Sequence, residues 1–184
     1  MKIERLAIPD VLLVTPFRHV DDRGSFSETF REDLLAAYGV NTAFVQDNHV
    51  VSKSRGVVRG LHYQVAPRAQ GKLVRCSRGA ILDVAVDVRE GSPTYAKHVA
   101  VELSEVNWQQ IWVPPGFAHG YVTLDDNCEV IYKTTDYYSP AHERGIAWDD
   151  PTLQIDWRIS HAEAILSNKD RSLRRLGQTT PLSE

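Results

Sequence analysis

The sequence predicts an all-β fold, and three observations lead to that prediction. Apolar and polar residues alternate with a period of two along most of the chain, which is the pattern of half-buried strands. Short turn signals separate these alternating runs, and segments with helical character are few and short. Short strands at this spacing are typical of an antiparallel sandwich or barrel rather than of alternating strand and helix units.

Three strands can be placed from the alternation alone. Residues 82–88 alternate between Leu or Val and a second set that contains Asp83 and Asp87, which predicts a half-buried strand. Residues 98–103 show the same pattern. Residues 128–134 place Tyr132 on the same face as the apolar residues of that run, which indicates a side chain that points into a barrel. Turn signals rich in Gly, Pro, Asp and Asn stand at 22–24, 78–79, 90–93, 114–116 and 125–127.

Helical signals are confined to two short segments. Residues 31–38 contain good helix formers and stop at Gly39, which can adopt the left-handed conformation of a helix C-cap. Residues 160–166 begin with Ser160 as an N-cap candidate, and Glu163 follows at the spacing of a capping box. We therefore expect a short helix at each position.

Length and composition predict one globular domain. The chain has 184 residues, which is enough for a core of its own, and we expect a single domain over 1–184. Hydrophobic residues make up 42% and charged residues 24%, both ordinary for a globular protein. The tail after about residue 176 is polar and shows no periodic pattern, so we expect it to be loosely ordered.

Charge and cysteine usage limit the partners and the compartment. The 21 basic and 24 acidic residues give a net charge of −3, which does not favour a nucleic-acid-binding face. The amino-terminal segment has no signal-peptide core, and no apolar run approaches the roughly 18 residues of a membrane span. Cys76 and Cys128 lack metal or redox spacing and indicate buried thiols of a reducing compartment. We expect a cytoplasmic protein with no nucleic-acid and no membrane partner.

The densest polar cluster lies on two neighbouring predicted strands. Gln46 and Asn48 are two residues apart and face the same way, and their amides suit hydroxyl or phosphate recognition. A solvated strand face is the alternative interpretation of this pair. Arg59 and His62 are three residues apart and face opposite sides of a regular strand. A bulge near Gly60 must realign them if both serve one site.

Residues 114–119 match the pattern P-x-G-x-x-H, which is half of a cupin signature. The other half supplies a metal through two histidines one residue apart, but the matching stretch here is His62-Tyr63-Gln64, and no carboxylate follows at the required spacing. A metal site of that kind needs all its ligands to converge on one ion. We expect a cupin-like barrel without a metal site. A lone histidine on a strand is more often structural than catalytic, so His62 and His119 need further support.

That support comes from a family resemblance. Five stretches, in unbroken order from about residue 3 to about residue 173, resemble the dTDP-4-dehydrorhamnose 3,5-epimerase family. They are DDRGSFSETF (21–30), QDNHVVSKSRGVVRGLHYQ (46–64), GKLVRCSRGAILDVAVDVREGSPTY (71–95), WVPPGFAHGY (112–121) and EVIYKTTDYYSPAHERGIAWDDP (129–151). The resemblance implies an all-β, cupin-type jelly-roll barrel with short peripheral helices, a homodimer, no metal, no cofactor and a role in the synthesis of activated L-rhamnose.

The resemblance also implies a substrate and three catalytic residues. The substrate is a dTDP-4-keto-6-deoxy sugar, whose C4 carbonyl acidifies the hydrogens on C3 and C5. His62 matches the base, Asp170 matches the carboxylate that binds this histidine, and Tyr132 matches the proton donor on the opposite face. Without the resemblance, Asp170 would be an exposed charge in a polar tail and Tyr132 an aromatic core residue.

Further positions match residues of the family that bind the nucleotide sugar. They are Arg23, Phe26, Glu28, Gln46, Asn48, Arg59, Lys72, His119, Tyr138, Glu143 and Lys169. We expect Lys72 to stabilise negative charge on the C4 oxygen, and Arg23 and Arg59 to bind the diphosphate. Phe26 or Tyr138 can stack on the base.

Several alternatives remain open at this point. The enzyme can invert C3, C5 or both, and the nucleotide is thymidine only by the family default. A 3,4-ketoisomerase, a metal-dependent cupin enzyme and a sugar-binding cupin without activity are the other candidates. The combination of His62, Tyr132 and Asp170 favours epimerisation. Residues 23–28 can act in their own subunit or, through strand exchange, in the site of a neighbouring subunit.

Overall fold

A computed structural model describes residues 1–178 of the chain. In chain order its elements are β1 (Lys2–Arg5), β2 (Leu12–Thr15), β3 (His19–Asp21), β4 (Gly24–Phe26), α1 (Glu32–Ala36), β5 (Gln46–Ser52), β6 (Val58–Gln64), β7 (Lys72–Arg78), β8 (Ala80–Asp87), β9 (His98–Ser104), β10 (Gln110–Val113), β11 (Phe117–Thr123), β12 (Cys128–Thr134), β13 (Glu143–Gly145) and α2 (Asn168–Arg171). A 3₁₀ turn at Pro140–His142 precedes β13.

Two antiparallel sheets face each other and form the predicted jelly-roll barrel. The larger sheet has the strand order β1-β2-β10-β7-β12-β5, and the smaller sheet has the order β13-β6-β11-β8-β9. Strands β3 and β4 form a separate hairpin. The turn signals of the sequence fall between strands, and Gly79 and Gly116 adopt φ values of +72° and +85°, which favour glycine. The all-β prediction is confirmed.

The strands predicted at 82–88, 98–103 and 128–134 are present as β8, β9 and β12. The half-buried character predicted for the first of them is wrong, because β8 is buried on both faces. Its inner face contributes to the core between the sheets. Its outer face is covered by the segment that follows β13, from which Trp148 and Trp157 pack against it. Asp83 and Asp87 share the inner face with Ile81 and Ala85, and both are fully buried.

The core between the sheets contains both cysteines, which are unpaired and buried as expected. Burial raises the pKa of the Cys76 thiol to about 12. A third apolar cluster lies on the outer face of the larger sheet, where Leu35 of α1 packs beside Trp112. Helix α1 therefore covers this sheet in the way the segment after β13 covers the smaller one.

One of the two predicted helices is confirmed. Helix α1 lies within 31–38 and ends before Gly39, whose φ is +95°. The helix predicted at 160–166 is wrong. The N–H of Ser160 does donate to Glu163 Oε2 at 2.8 Å, as in a capping box, but the Ser160 hydroxyl donates to the same carboxylate oxygen at 2.8 Å instead of accepting from the Glu163 N–H. The chain then extends, because Ile165 pairs with the strand region at Val57 instead of continuing a helical turn.

Helix α2 forms a few residues later, and no helix was predicted there. Its N-cap is Ser167, whose Oγ accepts a hydrogen bond from the backbone N–H of Asp170. The chain after α2 returns to the barrel, where the N–H of Leu176 donates to Asp150 Oδ2 at 2.6 Å and the Leu176 side chain is buried. Residues 179–184 of the tail predicted to be loosely ordered lie outside the described residues. Within 1–178, no helix is long and apolar enough to cross a membrane.

Candidate active site

A cavity of about 260 Å³ opens between the two sheets at one end of the barrel. Strands β5, β7 and β12 of the larger sheet and β6 and β13 of the smaller sheet form its walls. The residues that line it are Gln46, Asn48, His62, Tyr63, Gln64, Gln70, Lys72, Tyr132, Thr134, Tyr138 and Glu143. Seven of these eleven were predicted from the sequence as catalytic or substrate-binding residues. The structure therefore brings together most of the predicted site.

The predicted bulge at Gly60 is present and realigns β6. His62 pairs with His119 of β11, but Arg59 pairs with Tyr121, so three steps on β6 match two steps on β11. Gly60 has a φ of +117°, and a Cβ at this position would lie 2.6 Å from the carbonyl oxygen of His119. Only glycine fits this close approach. The bulge places Arg59 and His62 on the same inner face of the smaller sheet.

His62 and Asp170 form a close pair at the inner wall. The distance between His62 Nε2 and Asp170 Oδ1 is 2.7 Å, and the Asp170 side chain is only 7% exposed. Burial by itself would raise the pKa of Asp170, but the close contact with His62 and the hydrogen bond from Ser167 outweigh it, and the pKa lies below its usual value. Asp170 is thus an anion that faces one ring nitrogen of a partly exposed histidine. The partnership implied by the resemblance is present in the geometry.

A second histidine–aspartate pair lies beside the first. His119 is the cross-strand neighbour of His62, and its Nε2 lies 2.9 Å from both carboxylate oxygens of Asp83. Asp83 was not predicted as a site residue, because the alternation of β8 suggests only that it belongs to the more polar face. The available signal was an aspartate in the middle of a Val-rich strand, which burial on both faces converts into a buried charge.

Lys72 of β7 lies on the opposite wall from these two pairs. Its ammonium group donates to the backbone carbonyl of His62 at 3.2 Å. Burial lowers the pKa of Lys72 to about 8, although the negative charges of Asp83 and Glu143 partly oppose this shift. The cavity therefore holds a cation that carries its proton at neutral pH and releases it in mild alkali.

Tyr132 of β12 also belongs to the larger sheet, so it stands across the cavity from His62. Burial raises its pKa, while the nearby charge of Arg59 acts in the opposite direction. Tyr132 pairs across the sheet with Asn48 of β5, and Asn48 Oδ1 accepts from Gln46 Nε2 at 3.0 Å. The expectation that Gln46 and Asn48 face the same way is confirmed.

At the rim of the cavity, the carboxylate of Glu143 binds two neighbouring side chains. Glu143 Oε1 lies 2.6 Å from Lys169 Nζ, and Glu143 Oε2 accepts from the hydroxyl of Tyr138 at 2.7 Å. These bonds hold the pKa of Glu143 below its usual value, although partial burial opposes them. All three residues were predicted to bind substrate, and the structure places them together at the entrance.

Three predicted binding residues lie away from the cavity. Arg23 is on the exposed turn between β3 and β4 and pairs with Asp21 at 2.6 Å. Phe26 is 70% exposed. Glu28 follows the hairpin and contacts Arg31 at 3.6 Å. Within one chain these residues do not reach the site, so their role stays a prediction that depends on a second subunit.

Gln64 stands at the position where a metal-binding cupin would have its second histidine, and in this chain it binds backbone groups of the neighbouring loops. The Gln64 side chain donates to the carbonyl oxygens of Arg68 and Tyr137 at 2.6 and 3.2 Å, and it accepts from the N–H of Ser139 at 2.7 Å. These bonds tie down the loops beside the cavity. Over residues 1–178, no cluster of three or more His, Cys, Asp or Glu side chains has an arrangement that could hold a metal ion.

Comparison with known proteins gives a consistent result. Residues 5–178 match the family model described as dTDP-4-dehydrorhamnose 3,5-epimerase. A protein of that name from Pseudomonas aeruginosa is 53% identical over 172 residues, covering 93% of this chain and 93% of that protein. The epimerase structure from Legionella pneumophila in complex with dTDP-4-keto-L-rhamnose superposes with a TM-score of 0.93 at 41% identity, covering 97% of this chain and 94% of the other. A 3'-monoepimerase from Streptomyces bikiniensis in complex with dTDP-quinovose has a TM-score of 0.86 at 34% identity, covering 94% and 86%.

Proposed function

The chain belongs to the dTDP-4-dehydrorhamnose 3,5-epimerase family, and from that premise we propose that His62 and Tyr132 invert carbon centres of a dTDP-4-keto-6-deoxy sugar. The enzyme is an epimerase of the dTDP-rhamnose pathway. The observation that carries the residue assignment is that His62 and Tyr132 come from opposite sheets across one cavity. Inversion needs a base on one face of the sugar ring and a proton donor on the other.

His62 acts as the base. Its Nε2 faces Asp170, so Nδ1 is the ring nitrogen that takes a hydrogen from the carbon next to the C4 carbonyl. The electron pair of the broken C–H bond delocalises into the carbonyl and gives an enolate. The anion of Asp170 stabilises the imidazolium that forms and fixes the ring orientation.

Tyr132 delivers a proton to the opposite face of the same carbon. Its raised pKa keeps the hydroxyl protonated at neutral pH, as a donor requires. Lys72 and His119 stabilise the negative charge on the C4 oxygen, because donors that are fixed before the reaction need no reorganisation when the charge develops. Asp83 supports this function by holding the His119 ring in place.

The nucleotide end of the substrate lies toward the rim. Arg59 and Lys169 supply positive charge for the diphosphate, and Tyr138 offers a ring for the base. The hairpin of a second copy would add Arg23, Phe26 and Glu28, because these side chains are exposed and directed away from their own cavity. We therefore propose a homodimer in which the β3–β4 hairpin completes the partner's site.

Two further parts of the proposal concern the cellular compartment of the enzyme and its activity without a metal ion. The buried, unpaired thiols of Cys76 and Cys128 support a reducing compartment, and we assign the enzyme to the cytoplasm. Gln64 is committed to backbone contacts and cannot replace the missing metal histidine. We expect full activity after prolonged chelation. Activity that is lost and then restored by one divalent ion would contradict the metal-free mechanism.

Proton NMR of dTDP-4-keto-6-deoxyglucose in D2O tests the function directly. We expect the hydrogens on both C3 and C5 to exchange for deuterium, with formation of the L-configured product. His62→Ala should abolish both exchanges, whereas His161→Ala, which changes an exposed histidine away from the cavity, should leave them unchanged. Retained exchange in His62→Ala would assign the base elsewhere.

The same experiment distinguishes a second candidate, a C3-only epimerase. The 3'-monoepimerase from Streptomyces bikiniensis has the same fold, so the fold by itself does not distinguish a C3-only epimerase from a 3,5-epimerase. Exchange at C3 without exchange at C5 would identify this chain as a monoepimerase. Exchange at both carbons excludes it.

A further inference from the structure

Ser167 links the backbone of α2 to the carboxylate of the catalytic pair. Its Oγ donates to Asp170 Oδ2 at 2.7 Å and accepts from the N–H of Asp170 at 3.1 Å. The other oxygen of the same carboxylate, Oδ1, faces His62 Nε2 at 2.7 Å. The three side chains therefore form one continuous chain of contacts from the helix N-cap to the base.

We propose that Ser167 is a positioning residue for the epimerisation, an inference that rests on the proposed role of His62. A carboxylate on a short side chain can rotate about its terminal torsion, whose energy profile is broad. The hydroxyl of Ser167 holds Oδ2 and so directs Oδ1 at the imidazole. It also lowers the basicity of Asp170, because a hydrogen bond to the charged form favours that form. The proton that His62 takes from the substrate therefore stays on the imidazole.

Ser167 acts only through Asp170. Its side chain is exposed and does not line the cavity, so it does not touch the sugar. Loss of its hydroxyl should lower turnover and leave substrate binding unchanged. A capping role alone would instead lower the stability of α2 and affect both, because α2 also carries Lys169 of the rim.

Two substitutions separate positioning from capping. Thr and Gly are about equally good N-caps, so Ser167→Thr and Ser167→Gly should change the stability of α2 to a similar extent. Only Thr keeps a hydroxyl that can donate to Asp170. The backbone of Ser167 is extended, with φ −68° and ψ 161°, and the residue is exposed, so the additional methyl group of Thr has room.

Steady-state kinetics on the full-length enzyme give the first measurement. We expect Ser167→Gly to lower kcat about tenfold, the effect of losing a hydrogen bond to a charged group, with KM changed by less than about twofold. Ser167→Thr should recover most of the lost kcat. An unchanged kcat in Ser167→Gly, or an equal loss in both variants, would overturn the proposal.

Proton NMR of the imidazole N–H gives a second measurement that does not need turnover. A short contact between an imidazole and a carboxylate shifts the shared proton far downfield. This signal should be present in the unaltered enzyme and in Ser167→Thr, and it should weaken or move upfield in Ser167→Gly. An identical signal in all three proteins would contradict the positioning role. Failure of the proposed function would show separately, as activity retained by His62→Ala.

Discussion

Asp83 and Asp87 lie four residues apart on β8, and both are fully buried, but their partners differ. Asp87 accepts from the guanidinium of Arg89 at 2.8 and 2.9 Å, from Ser92 at 2.5 Å and from Thr94 at 2.6 Å. These bonds close the loop that connects β8 to β9. Among the side chains of residues 1–178, Asp83 has only His119 within hydrogen-bond distance.

From this difference we expect the same residue type to serve structure at the end of β8 and chemistry in its middle. The donors around Asp87 outweigh its burial and hold its pKa well below the usual value, so its charge is fixed at all ordinary pH values. Asp83 faces the ring of His119 beside the cavity. We therefore expect Asp87, whose oxygens are occupied by donors of its own loop, to stabilise the fold, and Asp83, which holds a histidine beside the cavity, to support the reaction.

The largest expected effect is on the cavity side of this comparison. Tyr132→Phe keeps the ring and removes the donor hydroxyl, so inversion should fall about a hundredfold to ten-thousandfold, the range of general acid catalysis. Deuterium should still enter the sugar, because His62 can return a solvent-exchanged proton to the face from which it came. NMR in D2O measures both quantities, and Tyr95→Phe, at an exposed tyrosine that does not line the cavity, is the control. An equal loss of exchange and inversion would mean that Tyr132 acts before the enolate forms.

The second effect is on stability, at the other end of β8. Asp87→Asn replaces an acceptor with a group that donates toward Arg89, Ser92 and Thr94, and it should lower the free energy of unfolding by about 3 kcal/mol. Turnover per folded molecule should not change, because this loop does not line the cavity. Urea denaturation and kinetics on the same preparation measure both. Asp10→Asn is the control, since its exposed pair with Arg89 is worth about 0–1 kcal/mol.

The pH dependence sharpens this second prediction. The pKa of Asp87 is lower in the folded chain than its ordinary value of 3.8, so the stabilisation is complete above pH 3.8 and is lost as the pH falls further. The difference in stability between the unaltered protein and Asp87→Asn should therefore shrink below about pH 4. A difference that stays constant down to pH 2 would show that the charge of Asp87 is not what stabilises the loop.

Much of the fold could be predicted from local patterns, because strand alternation and turn residues depend on neighbours along the chain. The same local patterns gave wrong predictions where contacts with a distant segment determine burial or secondary structure. Asp83 shares a face with Ile81 and Ala85, which belong to the core between the sheets, so the more polar set of this strand faces inward. The Leu and Val set faces outward and is covered by the chain after β13. The helix predicted at 160–166 was lost to pairing between Ile165 and Val57.

The candidate site could be predicted only in part for the same reason. His62 and Tyr132 stand in recognisable motifs, but the contact between His62 and Asp170 joins β6 to a four-residue helix near the end of the chain. No periodicity in the sequence indicates that contact, and only the family resemblance predicted it. Helix α2 also had a local signal, because Ser167 is followed three residues later by the acidic residue Asp170. The same spacing at Ser160 and Glu163 led us to predict a helix there instead.

A third prediction tests whether Asp83 is functional. Asp83→Asn keeps an oxygen that can accept from His119 but removes the negative charge, so we expect kcat to fall about tenfold. Its effect on the free energy of unfolding should be smaller than that of Asp87→Asn, because fewer donors lose their acceptor. Unchanged kcat combined with an equal loss of stability would make the two carboxylates equivalent and remove the contrast between them.

The smallest expected effect concerns Lys72, the cation that lines the cavity near Asp83 and Glu143. Burial lowers its pKa to about 8, so half of the free enzyme should lack this charge at pH 8. If the ammonium group stabilises the enolate oxygen, kcat/KM should fall about twofold from its plateau by pH 8 and about tenfold by pH 9. Tyr132 ionises only at higher pH, because burial raises its pKa. Lys72→Arg keeps a permanent charge and should move this alkaline limb upward, whereas Lys133→Arg, on the outer face of the same sheet, should leave it in place. An alkaline limb that stays near pH 8 in Lys72→Arg would assign the ionisation to another group and leave the enolate without its proposed cation.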